Sequence, residues 1–365
     1  MTGWGHSQKK SKFLEDQFLF DWYRLKRYLG DMADHITWKR LINLLLVEYE
    51  WRLNKTILKG LPYQLIIDPN NICQIKCPLC FTGMGNLGRP KGQMEFALFK
   101  KIIDEAKDFS LHVFLHNWGE PLLNKKIVRF IRYSTEANLG TTMSTNLSLP
   151  LTEDIVEEII LSGLQNLIIS LDGINEETYQ KYRVGGDFSQ VIHNINLFVV
   201  KKKELGKKLP FLEWQFLMMR HNEKEIEDAR KMAQRLGLDS IHFPKIHLPH
   251  GKGSSKMAEE WFPRNAKRRF HRRYDKADNL SRRCWYLWRT VIINYDGGVS
   301  PCCYVDDKAS DFGNINEESL QAIWNKQKYV SARAIFLRHK KTSSESQAET
   351  VCHTCSMVSQ KGYLR

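Results

Sequence analysis

The sequence predicts an α/β protein: a partial (β/α)6 TIM-like barrel with an N-terminal helical extension and a small C-terminal cysteine-rich α+β domain. Three observations predict it. Short β-rich runs alternate with longer helical patterns from Leu61 to about Ile246. Five successive strand candidates end in polar, glycine or cysteine residues, which is where chemistry gathers in a parallel barrel. The eight cysteines fall into an early and a late group, with roughly two hundred cysteine-free residues between them.

Residues 1–60 form the extension. Trp38, Leu41, Ile42, Leu45, Tyr49 and Leu53 make an apolar stripe at helical spacing, flanked by Lys39, Arg40, Arg52 and Lys55. Such a helix either packs on the barrel or lies on an anionic membrane surface, giving peripheral membrane contact through residues 37–59. The barrel is expected over 61–248. Its strand candidates are Tyr63–Ile67, His112–His116, Thr141–Ser144, Leu167–Leu171, Glu213–Met218 and Ser240–Pro244. Between them, Phe96–Ala106, Ile155–Leu161, Ile192–Lys203 and Glu223–Leu236 carry apolar residues three and four apart. Strict strand–helix alternation implies right-handed parallel βαβ units. A basic linker is expected over 249–283 and the cysteine-rich domain over 284–365.

Composition is that of a soluble globular chain: 365 residues, 42% hydrophobic and 26% charged. The formal net charge of +14 favours anionic partners. No secretory signal is visible, and the longest apolar run, Leu41–Val47, is broken by Asn43. The chain is therefore expected in the cytoplasm, where thiols stay reduced and clustered cysteines serve as metal or redox ligands before disulfides.

Cys73, Cys77 and Cys80 have C-x3-C-x2-C spacing and follow the first strand. Three thiolates can hold three irons of a [4Fe–4S] cube and leave the fourth open; the alternative is a zinc knuckle or a structural cluster. Trp118-Gly119-Glu120 follows the second strand, Ser144-Thr145-Asn146 ends the third, Ser170-Leu171-Asp172 ends the fourth, and Met218 closes the fifth.

This pattern resembles the radical S-adenosylmethionine (SAM) superfamily. By that resemblance Cys73, Cys77 and Cys80 hold the SAM-binding cluster, and Leu79 and Phe81 lie near the adenine. Gly119 and Glu120 match the segment that meets the SAM ammonium, with Trp118 in place of its first glycine. Ser144, Asn146, Ser170 and Asp172 fall where the family contacts ribose and methionine. Arg183 resembles the arginine that pairs with the SAM carboxylate, a chemistry suited to a planar, bidentate donor, and Met218 stands where backbone meets adenine. The implied reaction is one-electron cleavage of SAM to a 5′-deoxyadenosyl radical that abstracts hydrogen from substrate, fed by an external flavodoxin- or ferredoxin-like one-electron reductant.

In the late group, Cys284 precedes a strand pattern, Asp296-Gly297-Gly298 makes a hairpin turn, and Cys302-Cys303 and Cys352-x2-Cys355 follow. This resembles the SPASM/twitch extension of radical SAM enzymes. The resemblance implies a second, auxiliary [4Fe–4S] cluster on Cys284, Cys302, Cys352 and Cys355, with Cys303 surplus or a substitute for Cys302. Zinc is the alternative, because spacing alone does not separate it from iron. Nine basic residues between Arg264 and Arg283, interleaved with Trp261, Phe262, Phe270 and Tyr274, suggest either a solvated linker or a clamp for an anionic small-molecule, sugar or lipid-linked substrate. A peptide-modifying maturase is the alternative. A non-enzymatic metal- or nucleic-acid-binding protein is a further one, although no nucleic-acid-binding motif is present.

Overall fold

Alternation along the strands decides which side chains meet the helices. On β1 (Gln64–Ile67), Leu65 and Ile67 are fully buried while Gln64 and Ile66 are half-buried on the opposite face. The other barrel strands, β2 (His112–Phe114), β3 (Gly140–Thr145), β4 (Asn166–Ser170), β5 (Phe211–Gln215) and β6 (Ser240–His242), are buried at most positions on both faces. The computed structural model describes residues 27, 29–246, 255–265, 284–337 and 348–355. Strands β1 to β6 pair in chain order and in parallel, as the alternation requires.

The sheet does not stop at the barrel. From the cysteine-rich region, β7 (Thr290–Ile293) pairs in parallel on the other side of β1, with Gln64 opposite Thr290 and Ile67 opposite Ile293. Strands β8 (Gly298–Ser300) and β9 (Gly313–Asn314) continue it antiparallel, giving one nine-stranded sheet ordered β6-β5-β4-β3-β2-β1-β7-β8-β9. The turn between β7 and β8 uses Gly297 at φ +83°, a left-handed conformation that glycine adopts without strain.

Helices cover the apolar face. Phe99, Ile102, Ile103 and Ala106 give α2 (Phe96–Ala106) its buried stripe. The sequence pattern did not single out α3 (Ile127–Glu136), whose Phe130 stacks on Phe99 at 4.1 Å. Side-chain N-caps start α4 (Glu153–Leu161) at Thr152, α5 (Glu176–Tyr182) at Asn175 and α6 (Phe188–Glu204) at Asp187. The last barrel helix is α7 (Ile226–Arg235).

The N-terminal helix α1 (Trp38–Arg52) packs on the barrel, but through its polar side. Arg40, Asn43, Val47 and Glu50 are buried, while Trp38, Ile42, Leu45, Tyr49 and Leu53 face outward. Arg40, expected among the exposed basic flanks, is instead buried because its guanidinium donates to the carbonyls of His35 (2.7 Å), Lys107 (2.9 and 2.5 Å), Ala137 (3.0 Å) and Asn138. Lys107 and Ala137 are the C-caps of α2 and α3, so one side chain closes both helix ends. Asn43 bonds Leu61 and Phe109. All these partners except His35 stand just before β1, β2 or β3, so α1 crosses the end of the barrel opposite the strand ends that carry the cysteines.

Residues 1–26, 28 and 247–254 lie outside the described residues. So do the basic side chains Lys267, Arg268, Arg269, Arg272, Arg273, Lys276, Arg282 and Arg283, with Phe270 and Tyr274.

Candidate active site

The loop after β1 is shaped by its own backbone. Cys80 N–H donates to Cys77 O (3.1 Å), Met84 N–H to Cys80 O (2.8 Å), and Lys76 N–H to Val184 O (2.8 Å). A Cβ on Gly83 would stand 2.5 Å from Cys77 N, so the fold-back demands glycine there. Cys77 is buried and Cys73 and Cys80 half-buried, all three as free thiols. Ile75, Tyr182, Met219, Trp261 and Phe262 pack around them with Leu79. Trp261 and Phe262, which the sequence places in a linker, are thus a wall of this site.

Burial pushes the Cys73 thiol up to about 12, and the neighbouring Glu120, Cys77 and Cys80 add to the shift. The Cys77 thiol rises to about 11, against the pull of Arg183. Both keep their protons at neutral pH unless a metal takes their place, since coordination deprotonates a thiol outright. Two donors reach the sulfurs: Asn146 Nδ2 to Cys73 Sγ at 3.6 Å and Arg183 Nη1 to Cys77 Sγ at 3.8 Å. Three thiols in an apolar shell with donors to sulfur fit an iron–sulfur cube with one iron left open.

The polar residues at the neighbouring strand ends converge on the same place. Glu120 is buried; its Oε1 accepts from Thr145 Oγ1 (2.6 Å) and Leu122 N (3.1 Å), and its Oε2 from Asn146 N (2.8 Å). Burial raises its pKa despite these bonds. A Cβ on Gly119 would sit 2.1 Å from Asn70 O, so this position accepts only glycine. Trp118 replaces a glycine without strain, since it is not among the described residues of positive φ; its carbonyl accepts from Thr82 Oγ1 (2.6 Å) and its ring meets Phe81 edge-on at 5.6 Å. Ser144 and Ser170 hydroxyls face each other at 3.3 Å across β3 and β4. Asp172 is fully buried, accepts from Leu217 N (2.6 Å), and pairs with Arg183 through Nε and Nη2, both at 2.6 Å. Met218 is buried, with its N–H on Pro244 O (3.1 Å).

Two residues, Asp68 and Arg89, had no sequence signal. Asp68, one residue past β1, accepts from Trp118 N (3.2 Å) and Gly119 N (3.5 Å), while its Oδ2 is buried without a partner. Burial lifts its pKa from 3.8 to about 7. Beside it, His116 Nδ1, Asn117 Nδ2 and Trp118 Nε1 are also buried without partners, and burial lowers His116 to about 4, leaving it neutral. Arg89, almost fully buried, binds Asp296 (2.7 and 2.8 Å) and Asp311 (2.6 and 2.8 Å) and so clamps the segment after the cysteine loop onto the β7–β8–β9 hairpins.

The late cysteines also meet. Burial raises Cys284 to about 11, with Cys355 and Cys303 contributing; Cys302 rises well above the ordinary range through burial and through Cys303, Cys284 and Cys352. Cys352 rises through burial, Cys284 and Cys355. The Cys303 thiol is tied to the Tyr286 hydroxyl at 3.2 Å. Cys284, Cys352 and Cys355 pack against the main core, and with Cys302 they are the residues that would hold a second cluster.

Residues 67–233 match the family model of the radical SAM superfamily, and residues 284–356 match that of SPASM, an iron–sulfur cluster-binding domain. The chain is 29% identical over 204 residues to an AdoMet-dependent heme synthase of Methanosarcina barkeri, covering 56% of this chain and 55% of that protein. It is 26% identical over 182 residues to a GTP 3′,8-cyclase of Clostridium botulinum, covering 50% and 55%. The chain thus spans about half the length of these curated relatives. Among solved structures, SuiB of Streptococcus suis bound to S-adenosylmethionine shares the fold, with a TM-score of 0.60, 17% identity, and coverage of 84% of this chain and 73% of that one.

Proposed function

Because the chain belongs to the radical SAM superfamily and carries a SPASM iron–sulfur domain, we propose that it is an enzyme that cleaves SAM reductively and abstracts hydrogen from an anionic small-molecule, sugar or lipid-linked substrate. The observation that carries this is the convergence of Cys73, Cys77 and Cys80 with Glu120, Asn146 and the Arg183–Asp172 pair at the same strand ends. Cys73, Cys77 and Cys80 hold the catalytic [4Fe–4S] cluster. When bound, the cluster and SAM supply one electron from an external flavodoxin- or ferredoxin-like donor and a 5′-deoxyadenosyl radical.

The protein's own part is orientation. Gly119 lets the chain approach the SAM ammonium, and Glu120 Oε2, which accepts a single bond, keeps a lone pair for it. Arg183, already aligned by Asp172, would pair with the SAM carboxylate. Ser144 and Ser170 offer hydroxyls to ribose, and Leu79, Phe81 and the Met218 backbone frame the adenine. Cys284, Cys302, Cys352 and Cys355 would hold the auxiliary cluster, which would supply an electron acceptor near the substrate. Among the described residues no group of three or more His, Cys, Asp or Glu side chains is placed to hold a single metal ion. The net charge of +14 supports an anionic substrate. Peripheral membrane contact runs through residues 37–59; no helix of the described residues is long and apolar enough to cross a membrane.

Anaerobic reconstitution followed by iron, sulfide and zinc analysis tests the proposal, with dithionite-driven deoxyadenosine scored on the same sample. About eight irons per chain with deoxyadenosine is expected. Zinc alone without SAM cleavage would overturn it.

A further inference from the structure

Helix α1 buries three polar side chains with Val47 and leaves most of its large apolar side chains outside. Its polar side chains are its anchors: Arg40 and Asn43 hold the barrel's backbone, and Glu50 accepts from Lys59 N and Gly60 N, both at 2.9 Å. Its apolar side chains are its surface. Trp38 is 75% exposed, Leu45 62% and Tyr49 54%, and Ile42 and Leu53 complete a stripe three or four residues apart that Ile57 prolongs. Eight of the fifteen large hydrophobic side chains exposed among the described residues lie between Leu29 and Ile57. Such concentration is not the scatter of single apolar residues that every surface shows.

Charge selects the partner. Within α1 the exposed side chains are apolar or basic, with Lys39 and Arg52 beside the stripe and Lys55 and Lys59 just beyond it. Both acidic residues of the helix turn away: Glu50 is buried, and Glu48 pairs with Arg289 (2.5 Å) and accepts from Tyr63 (3.0 Å). Lys55 also lies over the Tyr49 ring at 5.2 Å, and Lys39 makes an exposed pair with Asp108 at 3.3 Å. Aromatic and aliphatic residues between lysines, with no acid of the helix itself facing out and Asp34 and Asp108 the exposed acids beside it, is the composition of a helix lying in the headgroup layer of an anionic bilayer.

We infer that Trp38, Ile42, Leu45, Tyr49 and Leu53 insert into the interface of an anionic lipid membrane, with the flanking lysines on its headgroups. This deepens the membrane contact proposed above and rests on the orientation of α1. It also divides the molecule: α1 crosses the end of the barrel away from the cysteines, so the membrane holds the protein by its base and leaves the catalytic mouth facing the aqueous side.

The test is flotation of the full-length, cluster-reconstituted chain with vesicles of phosphatidylcholine alone or mixed with phosphatidylglycerol. The wild type is expected to float with the mixed vesicles. A Trp38→Ser/Leu45→Ser/Tyr49→Ser variant is expected to lose partitioning by about a hundredfold, and Lys39→Glu/Lys55→Glu by at least about tenfold on mixed vesicles only. Both variants should stay folded and keep deoxyadenosine formation. Wild type that stays at the bottom of the gradient, or a triple variant that floats like wild type, overturns the inference. A wild-type dimer in solution that the triple variant dissolves also overturns it, because a second copy would then cover the stripe. Cys77→Ala keeps the two proposals apart, since it is expected to float and to make no deoxyadenosine.

Discussion

Asp68 shows how much of the site depends on single buried atoms. One carboxylate oxygen takes the N–H groups of Trp118 and Gly119; the other has no partner. Burial therefore favours the protonated form, from an ordinary 3.8 to about 7. Between these values the native state holds a proton that the unfolded chain releases, so this residue's contribution to stability falls as pH rises from about 4 to about 7 and is flat above. Asp68→Asn keeps an oxygen for the two N–H groups and removes the titration. The variant should gain stability over wild type as pH rises through that window, by up to about 4 kcal/mol, in urea unfolding of the apoprotein at pH 5 and pH 8. A constant difference between the two pH values would refute it. The sequence announced Cys73, Cys77 and Cys80 because ligand duty needs a residue type at a spacing. It could not announce Asp68 or Arg89, whose roles arise only when distant segments meet; the carboxylates that Arg89 grips lie more than two hundred positions away.

At the scale of elements, period carried the sequence reading and orientation escaped it. The six parallel strands follow from the alternation of short β runs with helical stretches, and the outcome lies within a few residues of expectation at most boundaries. The stripe on α1 was equally visible, yet periodicity says only that a helix has two faces. Which face is buried is decided by hydrogen bonding: the carbonyls closing α2 and α3 need donors, and Arg40 supplies them. Two substitutions separate the faces. Arg40→Met leaves buried carbonyls without donors and should cost about 2–4 kcal/mol, with faster cleavage of the N-terminal segment in limited proteolysis. Trp38→Ser on the outer face should change stability by no more than about 0.5 kcal/mol. If the tryptophan proved the costlier loss in thermal unfolding, the helix would pack the other way round.

For the whole molecule, the decisive fact is that β1 lies between β2 and β7. The cysteine loop leaves a strand with the barrel on one side and the cysteine-rich region on the other, and Arg89, just beyond that loop, pairs with Asp296 and Asp311 of that region. Losing the late cysteines and losing the late region are therefore different injuries. Cys352→Ala with Cys355→Ala removes thiols but keeps β7, Asp296 and Asp311. Such a protein should fold, retain the iron of its first cluster and still form deoxyadenosine, while losing turnover of its substrate. Ending the chain at residue 283 strips one side of β1 of its partner, removes both carboxylates that hold Arg89, and leaves an exposed sheet edge beside the cysteine loop. The truncated chain should fail to hold even the first cluster, by iron analysis and the visible absorption of reconstituted samples. A truncated protein that bound about four irons and cleaved SAM would mean that the barrel stands alone. Equal loss of SAM cleavage in the double cysteine variant, with the fold intact, would mean that the two clusters act as one site.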